Sequence, residues 1–145
     1  MCGVDYSSAS IDLARAIAKN RGNGCETIVF DEADLRDHQR VARLKQEANA
    51  GEGWDIVCDK GTFDAVLHGK LPVDLYVEAV VQLTRRESTE RPGIFFITSC
   101  NFTQDELERK FVPAGFAVEH VVPAPTFMFG GQKGSTVTTV AFRRI

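Results

Sequence analysis

Asp59-Lys60-Gly61-Thr62-Phe63-Asp64 brings two carboxylates and an amine together directly after the apolar stretch Trp54-Asp55-Ile56-Val57-Cys58. A short hydrophobic strand that ends in such a run delivers its polar groups to the carboxyl edge of a sheet. In open α/β folds that edge is where ligands bind. Polar groups placed there are candidates for chemistry. The same run also fits an ordinary charged strand exit, so its neighbours in the fold have to decide. Three other strand-like segments end in polar residues of similar promise: Asp5 after Cys2-Gly3-Val4, the acidic Asp31-Glu32-Ala33-Asp34 after Glu26–Phe30, and Asn101 after Ile94–Thr98.

The elements that must position these residues alternate. Cys2–Asp5 reads as the end of a buried strand. Ser7 and Ser8 cap a helix whose Ala9, Leu13 and Ile17 share one face at helical spacing, and Gly22-Asn23-Gly24 stops it. Glu26–Phe30 is a β-branched second strand, and His38–Ala50 a polar helix with Val41, Leu44 and Ala48 as a thin apolar stripe. Trp54–Cys58 is the third strand. Pro72 sits in the first turn of a helix that turns Val73, Tyr76, Val77, Val80 and Val81 to the core. Ile94–Thr98, the most hydrophobic segment, reads as a central strand. Thr103 and Glu106 form a capping box for a helix reaching about Phe111. Phe116–Val122 and Thr136–Phe142 are two further strands joined by a loop rich in Pro, Gly and aromatic residues. With no helix between them these two pair antiparallel at one edge, because a parallel pair needs a crossover. Strand–helix alternation of this kind predicts a doubly wound α/β domain.

Size and charge narrow the function classes. The 145 residues fit one domain, 1–145, large enough to bury a core without disulfides or metal. A formal charge of −3 argues against a general nucleic-acid or membrane-surface binder, which needs a basic face. Cys2, Cys25, Cys58 and Cys100 are scattered, with no C-x-x-C and no histidine at zinc spacing, so no metal site is expected. Free thiols, no signal peptide and no apolar run of about 18 residues set a cytoplasmic expectation.

Asp59-Lys60-Gly61-Thr62-Phe63-Asp64-Ala65, Ile97-Thr98-Ser99-Cys100-Asn101 and Thr126-Phe127-Met128-Phe129-Gly130-Gly131, set in this element order, resemble the elongation factor 1-alpha lysine methyltransferase family. These are class I, Rossmann-like methyltransferases that use S-adenosyl-L-methionine. The likeness runs from Gly3 to the C-terminus. It implies a protein-lysine N-methyltransferase whose protein substrate is translation elongation factor 1-alpha, with no nucleic-acid or membrane partner. It also implies that Asp5, flanked by Tyr6 and Ser7, accepts from the ribose hydroxyls of the cofactor. Asp34 would accept from the adenine amine, with Ala33 and Leu35 against the ring. Asp59 would lie beside the methyl-transfer centre, Asn101 on the substrate side, and Phe127-Met128-Phe129 along the lysine channel. Lys60 has no clear part, since its charge opposes a cationic substrate.

The family pattern opens with a central strand, a Gly-x-Gly-x-Gly loop and a helix, and these 145 residues contain none of the three. The expectation is therefore a fragment or the product of a shortened gene model, lacking the first strand and helix and binding S-adenosylmethionine weakly by itself. An alternative from another class is a non-catalytic interaction module that retains only the substrate half of the fold. A nicotinamide-dependent dehydrogenase is disfavoured, because no G-x-G-x-x-G follows a strand.

Overall fold

A computed structural model describes residues 1–48, 51–69, 72–86, 92–129, 132–135 and 137–145. The chain divides into two compact units, Met1–Val41 and Ala42–Ile145.

In the first unit, β1 (Cys2–Asp5) and β2 (Val29–Glu32) form a parallel pair in which Asp5 lies opposite Glu32. Both strands therefore leave the sheet at the same edge. Between them runs α1 (Ser8–Arg21), with Ser7 at its N-cap accepting from the Ser10 N–H, and Gly22 closing it. The helix buries Ile11 and Ala18, leaving Leu13 62% and Ile17 45% exposed, so its inner face is not the Ala9/Leu13/Ile17 face. Glu26–Phe30 is not a strand throughout. Cys25–Thr27 forms a 3₁₀ turn, with the Thr27 hydroxyl donating to the Gly24 carbonyl, and the strand begins at Val29. Asp31 and Glu32 are consequently strand residues rather than loop. β1 is only half-buried, with Val4 exposed.

α2 is His38–Gln46; Val41 and Leu44 are its buried apolar residues, as the periodicity predicts, and Ala48 is buried just beyond its end. The helix ends at Gln46, earlier than predicted, and the predicted end Ala50 falls outside the described residues.

The second unit is a four-stranded mixed sheet in the order β3-β4-β8-β5, made of β3 (Ile56–Lys60), β4 (Ile94–Ser99), β8 (Thr138–Arg144) and β5 (Phe116–Val122). β3 and β4 are parallel, with Asp59 opposite Ile97 and Lys60 opposite Thr98. β8 runs antiparallel to both β4 and β5, which places the expected antiparallel pair at the edge of the sheet. The third strand starts later than its sequence suggests. Trp54 pairs instead with Thr84, and its indole N–H donates to the Leu44 carbonyl at 3.2 Å. The strand therefore extends through Asp59 and Lys60. The last strand is likewise shifted, to Thr138–Arg144, and the predicted start Thr136 lies outside the described residues. The loop before it contains a hairpin, β6 (Thr126–Phe129) with β7 (Gln132–Ser135).

Two helices follow β3 where one was expected: α3 (Thr62–His68) and α4 (Val73–Leu83), with Pro72 as the N-cap of α4 rather than inside it. α5 (Gln104–Phe111) opens with the predicted Thr103/Glu106 capping box. Strand alternation puts Phe95, Ile97 and Ser99 on one face of β4, all buried. There Phe95 and Phe142 of the sheet meet Phe111 of α5 at ring-centre separations of 4.9 and 5.5 Å, and Phe111 touches Phe63 of α3 at 5.5 Å. Phe63 continues the cluster to Tyr76 of α4 at 5.3 Å. Burying one such ring contributes roughly 1.5–3 kcal/mol, and this aromatic core fixes α3 and α4 beneath the carboxyl end of β3.

Candidate functional site

Asp59 is the last buried residue of β3, only 7% exposed. Its Oδ1 accepts from the Thr62 N–H at 2.8 Å, and its Oδ2 from the Phe63 N–H at 2.9 Å and from the Tyr76 hydroxyl. The two backbone donors are orphan N–H groups at the start of α3, so the carboxylate caps that helix from three residues before it. Gly61 makes the approach possible: it sits at φ 84°, a left-handed conformation costly for any residue with a Cβ. Three of the roughly four lone-pair positions of the carboxylate are thus engaged. Tyr76 is fully buried. Its desolvation, followed by the charge and hydrogen bond of Asp59, pushes the phenol pKa well above 10.

The exit of β4 lies beside that of β3, because the strands are parallel neighbours. Asp64, in α3 and also 7% exposed, accepts from the Ser99 hydroxyl at 2.5 Å and from the Cys100 N–H at 3.1 Å. Ser99 Oγ in turn accepts from the Asn101 N–H at 3.1 Å and the Phe102 N–H at 3.0 Å. The Phe102 ring packs tilted against Phe63, with ring centres 4.6 Å apart. A further link, Gly61 N–H to the Thr98 carbonyl at 3.3 Å, ties the two exits directly. Around this buried brace stand exposed side chains: Lys60, Thr62, Cys100 and Asn101.

In the first unit, Asp5 Oδ1 accepts from the Ser7 N–H at 2.8 Å, while its carbonyl accepts from the Ala33 N–H at 2.8 Å. The Ser7 bond holds the carboxylate at the strand end, and Oδ2 has no partner among the described residues. Tyr6 is exposed and Ser7 caps α1. Across the same edge, Asp34 is gripped by Arg36, whose Nε lies 2.8 and 3.0 Å from the two carboxylate oxygens and whose Nη2 lies 2.5 Å from Oδ2. The Arg36 backbone N–H adds a fourth bond at 2.9 Å. These bonds hold the Asp34 carboxyl below its ordinary pKa. A nucleobase amine would meet a carboxylate already paired, and would share it with Arg36 or replace it. Leu35 beside it is half-buried and Ala33 buried.

The structure thus brings Asp5, Ser7, Ala33, Asp34 and Leu35 to one strand edge of the first unit, and Asp59 and Asn101 to one strand edge of the second. Phe127-Met128-Phe129 lies along β6, while Gly130 and Gly131 of the same segment fall outside the described residues. Sequence reasoning did not single out Tyr76, Asp64 and Ser99 as polar parts of the site. A tyrosine on an apolar helix face signals a hydroxyl in need of a partner. An aspartate beside the core residue Phe63 gives a similar signal. Among the described residues no cluster of His, Cys, Asp and Glu could hold a metal ion, and no helix is long and apolar enough to cross a membrane.

No family model matches the chain. Individual proteins do. It is 38% identical over 149 residues to the protein-lysine N-methyltransferase efm4 of Schizosaccharomyces pombe, covering 99% of this chain and 57% of that protein. It is 32% identical over 145 residues to the human EEF1A lysine methyltransferase 2, covering 99% of this chain and 55% of the relative. The chain therefore spans a little over half the length of the curated relatives it matches. A SAM-dependent methyltransferase from Methanosarcina mazei superposes with a TM-score of 0.68 at 11% identity, covering 99% of this chain and 81% of that one. The chain has the α/β, Rossmann-like methyltransferase fold, with its antiparallel strands at the C-terminus.

Proposed function

We propose that this chain, a homologue of the protein-lysine N-methyltransferases over nearly its whole length, serves the same reaction: methylation of a lysine of translation elongation factor 1-alpha with S-adenosylmethionine as donor. The observation that carries the reading is the pair of adjacent strand exits holding Asp59 and Asn101, built from the Asp-Lys-Gly-Thr-Phe-Asp and Thr-Ser-Cys-Asn segments.

Asp5, Tyr6, Ser7, Asp34 and Leu35 would hold S-adenosylmethionine, which would supply an electrophilic methyl group for a neutral lysine amine. What the protein adds is position. Asp5 suits the ribose end: one oxygen is fixed by Ser7 and the other has no partner among the described residues, so the carboxylate can accept from vicinal hydroxyls without reorganising. Tyr6 and Ser7 flank it, and Ala33, Asp34 and Leu35 form the base-side lining. On the acceptor side, Asp59 contributes a fixed negative charge at the floor of the β3 exit. Asn101 offers an exposed amide to the acceptor. A protein substrate accords with these residues, and a cytoplasmic site of action accords with a translation factor as substrate.

The test is transfer of labelled methyl from S-adenosylmethionine to purified elongation factor 1-alpha by the intact protein. Label on a lysine is the expected result, and it should be lost with Asp59→Ala. No label in the wild type overturns the reading and favours a non-catalytic binding role.

A further inference from the structure

The turn after β4 is held more thoroughly than a surface turn needs. Three consecutive backbone N–H groups, those of Cys100, Asn101 and Phe102, are each captured by a side-chain oxygen: the first by Asp64 and the other two by Ser99. The Ser99 hydroxyl donates to Asp64 and accepts twice, which uses its whole hydrogen-bonding capacity. A buried carboxylate without a cationic partner is an expensive way to fix a turn, since burying charge is costly unless it is well paired. Neither Asp59 nor Asp64 has an ion-pair partner among the described residues. What the brace delivers is its one exposed amide. Asn101 projects between two pinned neighbours, with Phe102 locked on Phe63.

From this we infer that Asp64 is a positioning residue: acting through Ser99, it sets the turn that presents the Asn101 side chain to the methyl-accepting group. This inference rests on the methyltransferase reading above. Asp64 touches no reacting atom in this scheme. Its effect reaches the reaction through Ser99 and the backbone of Asn101. The linkage continues inward, because Asp59 fixes the Thr62 and Phe63 N–H groups of the same helix that carries Asp64. The β3 and β4 exits consequently behave as one rigid part.

The experiment compares the intact wild-type protein with Asp64→Asn, Ser99→Ala, Ser99→Thr and the Asp64→Asn/Ser99→Ala pair. It measures kcat and KM for the protein acceptor, S-adenosylmethionine affinity by calorimetry, and amide hydrogen exchange at Cys100, Asn101 and Phe102. Misplacing a substrate-side group predicts about a tenfold fall in kcat for Asp64→Asn and for Ser99→Ala. Because both act through one unit, the pair should be no worse than the more damaging single change. Cofactor affinity should stay within about twofold, since uniform binding is untouched. Ser99→Thr, which keeps the hydroxyl, should recover most of the activity. Unchanged kcat in folded Asp64→Asn and Ser99→Ala overturns the inference, as does a parallel loss of kcat, cofactor affinity and folded fraction. Amide exchange needs no activity. Protection at the three amides that is lost in Asp64→Asn supports the brace even if the wild type transfers no methyl, and free exchange in the wild type overturns it.

Discussion

The carboxyl edge of β1 and β2 and that of β3 and β4 both carry aspartates at strand exits, yet their surroundings differ. In the second unit, Asp59 and Asp64 are buried and bonded to uncharged donors: backbone N–H groups, a phenol and a serine hydroxyl. In the first unit, Asp34 is partly open to solvent and answered by a part-exposed arginine, and Asp5 keeps one oxygen uncommitted among the described residues. Buried carboxylates with fixed donors organise the chain around them. Asp5 retains acceptor capacity for a ligand, whereas Asp34 would have to share or exchange Arg36. Residue type and position at a strand end are therefore not enough to assign a role, and what fills the lone pairs separates an anchor from a contact.

Removing an anchor should hurt folding far more than removing a contact. Asp59→Ala strands two helix N–H groups and a buried phenol, and should cost about 3 kcal/mol in urea unfolding. Asp34→Ala should cost roughly 0.5 kcal/mol or less, because its pairing with Arg36 is exposed and screened. Equal losses would erase the distinction between the two edges.

Tyr76→Phe sharpens it further. Removing the hydroxyl empties one buried acceptor of Asp59, at a cost of about 1–2 kcal/mol. The raised phenol pKa also fixes a sign. The folded state holds that proton more tightly than the unfolded state, so the contribution is complete below pH 10 and is lost as pH climbs through the folded value. Of the two tyrosines, Tyr76 should ionise only well above pH 10, with unfolding. Tyr76→Phe should flatten this alkaline loss, and phenolate absorbance during alkaline titration measures both effects.

Gly61→Ala ranks below these. A Cβ at Gly61 meets nothing within 4 Å, so the cost is the left-handed backbone alone, about 1 kcal/mol. The smallest effect belongs to the open edge. Arg36 depresses the Asp34 pKa, so the stabilisation is present at neutral pH and lost as pH falls through the folded value. With the Asp34 side chain 41% exposed, solvent screens the pair and Arg36→Ala should leave stability nearly unchanged. Acid unfolding curves of the variant and the wild type should nearly overlay.

Much of this architecture was legible because local and tertiary signals agree. Ile94–Thr98 is apolar enough to be nothing but an inner strand, and the Thr103/Glu106 box forms as its spacing dictates. Errors arose where two patterns competed. In α1, Ile11, Ala14 and Ala18 interleave with Ala9, Leu13 and Ile17 at the same period, and packing chose the first set. Trp54 looks like the opening of a strand, but pairs with Thr84 instead. α3 is too short for periodicity to reveal, so the motif Asp59–Asp64 read as a charged strand exit when it is a strand end, a turn and a helix start. The brace at Ser99 was illegible for a different reason: its partners lie 35 residues apart and meet only through the sheet.

The account is tested most directly by titrating S-adenosylmethionine into the intact protein, Asp5→Ala and Asp64→Asn, with methyl transfer followed on the same samples. Loss of a charge-assisted bond at Asp5 predicts binding weaker by about tenfold or more. Asp64→Asn should bind as the wild type does while transferring more slowly. Wild-type affinity in Asp5→Ala, or cofactor affinity lost in a folded Asp64→Asn, would contradict the division between a binding edge and a positioning edge.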